Sequence, residues 1–220
     1  MCAPSLRKSR VATSLLLLYL TVPRAEADVI RIGVNAFGPG STLTTFTNLA
    51  IGTEVNGLTV DGILYRYSLG NGRVQIAGVG GGPSGNNVEG PKIASGFGFN
   101  GGSLTLTFPS FISAFGYGFV VGSTSPPTDP TEIQLFSAAT NVGSLTYPAA
   151  PDPDLAGGFA GIQSTIPFDS AIVTFNFASS PGFSMDNVRT IGVPESSTFV
   201  FLGTGIGLLW SWRRIRRYGV

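Results

Sequence analysis

The sequence predicts an all-β chain, an antiparallel β-sandwich of jelly-roll type flanked by an N-terminal signal helix and a C-terminal transmembrane helix. Three observations carry this. Between residues 28 and 192, short runs of β-branched and aromatic residues alternate with turn clusters, and no window sustains a helical period. Among 220 residues, 31 are glycine and 15 are proline, as expected where turns punctuate many short strands. Each end carries one apolar segment bounded by arginines.

The strands read in order along the body. Residues 28–35 alternate Val29 and Arg31 against Ile30 and Ile32. Residues 58–67 form the next run, with Val60, Ile63, Tyr65 and Tyr67. Residues 73–79 follow a Gly70-Asn71-Gly72 turn, a hairpin signal. Residues 103–108 place Leu104, Leu106 and Phe108 on one face and Thr105 and Thr107 on the other. In residues 111–121, Phe115, Tyr117, Phe119 and Val121 share a face opposite Gly116 and Gly118. Residues 131–136, 142–147, 159–163, 171–177 and 183–191 complete a set of about ten strands, enough for two packed antiparallel sheets.

Charge narrows the function. Charged residues make up 11% of the chain, against roughly 25% in an ordinary soluble domain. Residues 28–192 hold five basic and ten acidic side chains, a net charge of −5 that the near-neutral total conceals. An acidic body without a basic patch argues against nucleic acid as a partner. The chain has no histidine, and its one cysteine is Cys2. Ser-His-Asp and Cys-His catalysis, a histidine base and most zinc sites are thereby excluded.

The two ends read as targeting segments. Residues 1–27 combine a basic stretch with Arg7, Lys8 and Arg10, an apolar run over 11–22, and Ala25-Glu26-Ala27. This is the layout of a secretory signal peptide cut after Ala27. Its apolar run spans about 18 Å as a helix, short of a stable membrane crossing. Residues 193–217 read Val193-Pro194-Glu195, then an uncharged, mostly apolar helix over 199–212, then Arg213, Arg214, Arg216 and Arg217. That helix reaches about 21 Å. The arginines act as the stop-transfer cluster and hold their side in the cytoplasm. Gly203 and Gly207 have a helix-pairing spacing but fit equally well as small residues of this segment.

This tripartite tail resembles the PEP-CTERM sorting signal of exported bacterial proteins, with Ser196 where the family usually has a second proline. The resemblance implies passage through the secretion machinery, removal of the leader by signal peptidase, and processing near Pro194-Glu195 by an exosortase. The expected precursor is held in the inner membrane with its body in the periplasm. The mature form lies at the cell surface or outside, often in company with exopolysaccharide. The body itself resembles the jelly-roll ectodomains found before such tails, through segments 52–67, 104–119, 132–147, 159–175 and 183–189. In jelly-roll carbohydrate-binding domains an aspartate at the position of Asp186 joins an N-terminal acidic residue in a calcium site. Here Thr47-Asn48 occupies the N-terminal position, and the alternative is an aspartate hydrogen-bonded to backbone in a turn or bulge. No other cofactor is expected.

Other candidates are weaker. Asp152-Pro153-Asp154 offers two carboxylates in a Pro-rich stretch that reads as an exposed loop. Residues 78–90 are glycine-rich without the Lys-Ser/Thr ending of a phosphate loop, and read as a flexible connection. Tyr65, Tyr67 and Tyr147 would stack on sugars only if they faced solvent; strand spacing favours the core. The sequence therefore reads as a non-catalytic, surface-directed sandwich that binds polysaccharide in a matrix or envelope. A carboxylate-dependent extracellular glycan hydrolase is the alternative.

Overall fold

Alternation between apolar and polar residues is the force that shapes this body, because a pleated strand can bury one face and wet the other. The computed structural model describes residues 28–78, 87–96, 101–176, 178 and 182–193. They form twelve strands and one 3-10 turn, Val34–Ala36. The strands are β1 Val29–Arg31, β2 Thr42–Thr44, β3 Thr59–Val60, β4 Ile63–Tyr67, β5 Val74–Ala77 and β6 Lys92–Ser95. Next come β7 Ser103–Val121, β8 Thr131–Ser137, β9 Thr140–Tyr147, β10 Ala150–Pro151, β11 Ala156–Phe175 and β12 Phe183–Gly192. Every pairing is antiparallel.

Two long strands make the sandwich. The first part of β7 pairs with the last part of β11, from Thr107↔Ser170 to Ser103↔Thr174, and β4, β8 and β9 extend this first sheet. The last part of β7 pairs with the first part of β11, from Ala114↔Gln163 to Val121↔Ala156. There β12 joins it, followed by β2 at one end and β6 and β5 at the other, while β1 and β10 flank β11. The ladder between the halves shifts register on either side of Phe168. Pro109 and Pro167 lie in this stretch; proline has no N–H to donate, so the ladder is weakest there and the strands turn the corner.

The core fills the space between the halves. Leu104, Leu106, Tyr65, Tyr67, Ile133 and Leu135 from the first sheet meet Phe115, Tyr117, Phe119, Val121, Met185 and Ile93 from the second. Phe175 stacks on Phe183 with ring centres 3.9 Å apart, and Phe108 meets Phe168 edge-on at 6.0 Å. Burying each such side chain contributes about 1.5–3 kcal/mol. The Tyr117 hydroxyl is satisfied inside this core by Thr131 Oγ1 at 2.6 Å.

Several strand expectations are corrected. The runs at 103–108 and 111–121 are one strand, β7, and those at 159–163 and 171–177 belong to one strand, β11. The run at 58–67 is split by Asp61 and Gly62, whose positive φ values of 49° and 81° make a tight hairpin between β3 and β4. Gly70-Asn71-Gly72 is not a hairpin turn: β4 pairs with β7 while β5 pairs with β6. The run at 28–35 ends as a strand at Arg31 and continues into the 3-10 turn. Strands β2, β6 and β10 lacked a readable alternation because each is two to four residues long. The expected signal and transmembrane helices fall outside the described residues; among those described, no helix is long and apolar enough to cross a membrane.

Candidate functional site

The outer face of the second sheet carries a buried polar cluster. Asp186 on β12 pairs with Gly118 on β7, so its side chain emerges on the side away from the main core. The pairs Ser184↔Ala94 and Met185↔Ile93, extended by one residue, set Lys92 of β6 beside it. Residues 87–89 cross over this spot. A Cβ at Gly118 would lie 1.9 Å from the Asn87 carbonyl oxygen, so only glycine admits the crossing chain. Glu89 N–H donates to Asp186 Oδ2 at 3.1 Å. Asn187 Nδ2 donates to the Asn87 carbonyl at 3.2 Å, and Asn87 Nδ2 donates to Asp152 Oδ2 at 2.7 Å. Asn187 itself has φ 51° and sits where two residues of β12 oppose one of β7, a bulge that aims its amide at the crossing segment.

Electrostatics follow from burial. Asp186 is 3% exposed and Lys92 is fully buried. Burial pushes the Asp186 carboxyl up to about 6, against backbone N–H groups of Asn187 and Glu89 that favour the charged form; the Glu89 charge raises it and Lys92 lowers it. Burial also lowers Lys92, while Asp186 raises it. Lys92 Nζ donates to the Gly78 carbonyl at 3.3 Å. Asp186 Oδ1 is buried without a hydrogen-bond partner.

Chemically this is a latch. It holds residues 87–89 on the sheet through two carboxylates, Asp186 and Asp152, and two amides, Asn87 and Asn187. Calcium takes six to eight oxygens, more than the described residues place around Asp186. Among the described residues no group of three or more Asp, Glu, His or Cys side chains is placed to hold a metal. The positive charge nearest Asp186 is already supplied by Lys92. Thr47 and Asn48 are exposed after β2. The bulge reading of Asp186, a carboxylate accepting from backbone, matches the geometry.

Other sequence candidates separate. Asp152 is buried rather than exposed on a loop, because it caps the Asn87 amide, whereas Asp154 is exposed. Residues 87–90 are packed rather than a free connection, with Val88 buried; residues 79–86 lie outside the described set. Tyr65, Tyr67 and Tyr147 are all buried in the core. Val193 is described and exposed at the end of β12. Pro194, Glu195, Arg213, Arg214, Arg216, Arg217, Ala25 and Ala27 lie outside the described residues.

The outer face of the first sheet is open and polar. One row runs Arg66, Thr105, Ile172, Gln134 and Ser144 across β4, β7, β11, β8 and β9. The next carries Ser103, Thr174, Glu132 and Thr146. Sequence alternation pointed to its threonines; the side-by-side rows depend on register, which sequence does not give.

No family model matches the chain, and no curated protein matches it. Among solved structures it is similar to variants of a family 29 carbohydrate-binding module. One, complexed with cellulohexaose, is 10% identical, covers 70% of this chain and 94% of the module, and has a TM-score of 0.38. Another, complexed with mannohexaose, is 12% identical, with coverage of 69% and 92% and a TM-score of 0.36.

Proposed function

We propose that this chain is an exported, surface-directed, non-catalytic protein processed by an exosortase-type system. Its sandwich, of jelly-roll type, serves in the matrix or envelope and contacts polysaccharide. The observation that carries this reading is the pair of ends: a leader ending in Ala25-Glu26-Ala27 and a tail of Val193-Pro194-Glu195, apolar segment and four arginines, bracketing one β fold. Support comes from the position of the tail. Strand β12 ends at Gly192, so Pro194 and Glu195 follow the fold almost without a linker. Proline keeps the residue before it extended, which suits a protease cleft.

Polysaccharide contact would use hydrogen bonds rather than ring stacking. Among the described aromatic residues only Phe111 is exposed, whereas Arg66, Thr105, Gln134 and Ser144 line one polar row. The test expresses the tagged full chain with and without its exosortase. With the enzyme, the product is shorter and leaves the inner membrane; the double variant Pro194→Ala, Glu195→Ala stays full length and membrane-bound. A chain that stays full length in both hosts ends the sorting proposal. The released product on a glycan array should retain polymers, and Arg66→Ala with Gln134→Ala should weaken retention about tenfold or more, at roughly 1 kcal/mol per lost hydrogen bond. Retention unchanged by that pair would move the contact off this face.

A further inference from the structure

Exposed apolar side chains are concentrated at one end of the second sheet. Seven large hydrophobic residues are exposed among those described: Ile30, Val34, Leu43, Ile51, Leu69, Phe111 and Val193. Register places several of them together on the outer face, at the end nearest the corner. Ile30, Gln163, Ala114 and Ile191 form one row across β1, β11, β7 and β12. Leu43 on β2 stands opposite Arg189 on β12, two residues before Ile191. Beyond the last pair, Gly192↔Ile112, the next positions in register are Val193 and Phe111. Phe111 is 48% exposed, Ile30 50% and Leu43 44%. At about 4.8 Å between strands the patch measures roughly 15–20 Å across. Exposed apolar side chains gathered on one face in this way mark an interaction surface. Arg189 adds a cation beside Leu43, and its Nε is buried without a hydrogen-bond partner.

The patch lies where the chain leaves the fold. Phe199, the first residue of the apolar tail segment, stands six positions after Val193, with five residues between. Fully extended, these six steps reach about 20 Å. A domain of this size is about 30 Å across from its radius of gyration alone. A tether shorter than the body keeps the exit end, and not the far end, next to whatever holds the tail.

We propose that this end face rests on the bilayer surface while the precursor is held by its tail. Ile30, Leu43, Phe111 and Val193 enter the headgroup boundary, and Arg189 meets lipid phosphate. Apolar area and a basic residue on one face are what an interfacial contact with anionic lipid requires. The inference rests on the tail being a membrane segment, as proposed above, and adds which face of the body it presents to the lipid.

The test reconstitutes the full chain, carrying Cys2→Ser, into phosphatidylcholine–phosphatidylglycerol vesicles with brominated acyl chains. Single cysteines for a fluorophore are introduced as Leu43→Cys and Phe111→Cys, with Ile51→Cys and Leu69→Cys as exposed apolar controls away from the patch. The labels at 43 and 111 should be quenched at least about twofold more than the controls, as expected for side chains seated at the acyl boundary. Equal, weak quenching of all four on vesicle-bound protein overturns the end-face contact and leaves the tail reading standing. Protein that does not float with the vesicles overturns both. Labels at 43 and 111 shielded from aqueous iodide yet unquenched by lipid would show instead a contact between two copies, and overturn the proposal.

Discussion

The two halves of β7 share one strand and obey different rules. From Ser103 to Phe108 the residues alternate, with Leu104, Leu106 and Phe108 buried and Thr107 exposed. From Ala114 to Val121 every residue is buried. The first half has water on its outer face. The second half has protein there: Phe159 lies over Gly116 and residue 87 over Gly118. Polar residues at alternate positions therefore mark a solvated face. Glycines at alternate positions mark a face on which another chain segment lies directly.

The comparison breaks most easily at Gly118. Gly118→Ala drives a methyl into the Asn87 carbonyl and should cost about 2–4 kcal/mol in urea unfolding, whereas Thr107→Ala on the open half should stay within about 0.5 kcal/mol. Similar small losses for both would mean the crossing segment yields freely and does not cover this half.

Asp186 sharpens the difference through pH. Its folded pKa of about 6 lies above the ordinary carboxylate value of 3.8, so the native state binds the proton more tightly. Its contribution to stability is greatest below pH 4 and is lost as pH rises towards 6, a change of about 3 kcal/mol. Asp186→Asn keeps an acceptor for Glu89 N–H and removes that slope, so the variant should gain on wild type between pH 4 and 6. A difference that is flat across this window would mean that Asp186 is solvated.

A smaller effect is expected at the turn between β8 and β9. Ala138 and Ala139 both have positive φ, 46° and 68°, where side chains are strained. Ala139→Gly should raise stability by up to about 1 kcal/mol in the same urea titration. The smallest expected effect is that of calcium: melting with calcium and with chelator should coincide, because the described donors around Asp186 are too few. A calcium-dependent rise abolished by Asp186→Asn would restore the metal reading.

What could be read beforehand differs between the halves for the same reason. Alternation identified the inward set of both parts of β7, and the core contains Leu104, Leu106, Phe115, Tyr117, Phe119 and Val121 together. It could not tell that Gly116 and Gly118 were covered, since glycine has no side chain to declare a preference. Asp186 was legible as unusual, but Glu89 and Lys92, which it meets, and Asn87 and Asp152 of the same cluster lie far from it in sequence. Hairpin chemistry misled at Gly70-Asn71-Gly72, where left-handed glycines connect two different sheets.

By itself the sequence determined the strand-forming character of residues 28–192, the inward faces of the long strands and the absence of histidine chemistry. These depend on local period and composition, which neighbouring residues carry. Only the tertiary structure decided that β7 and β11 bend through both sheets, that residues 87–89 latch onto Asp186, and that Ile30, Leu43, Phe111 and Val193 gather at the exit end. Each of these depends on register between segments distant in the chain, and a one-residue slip would turn every side chain to the opposite face.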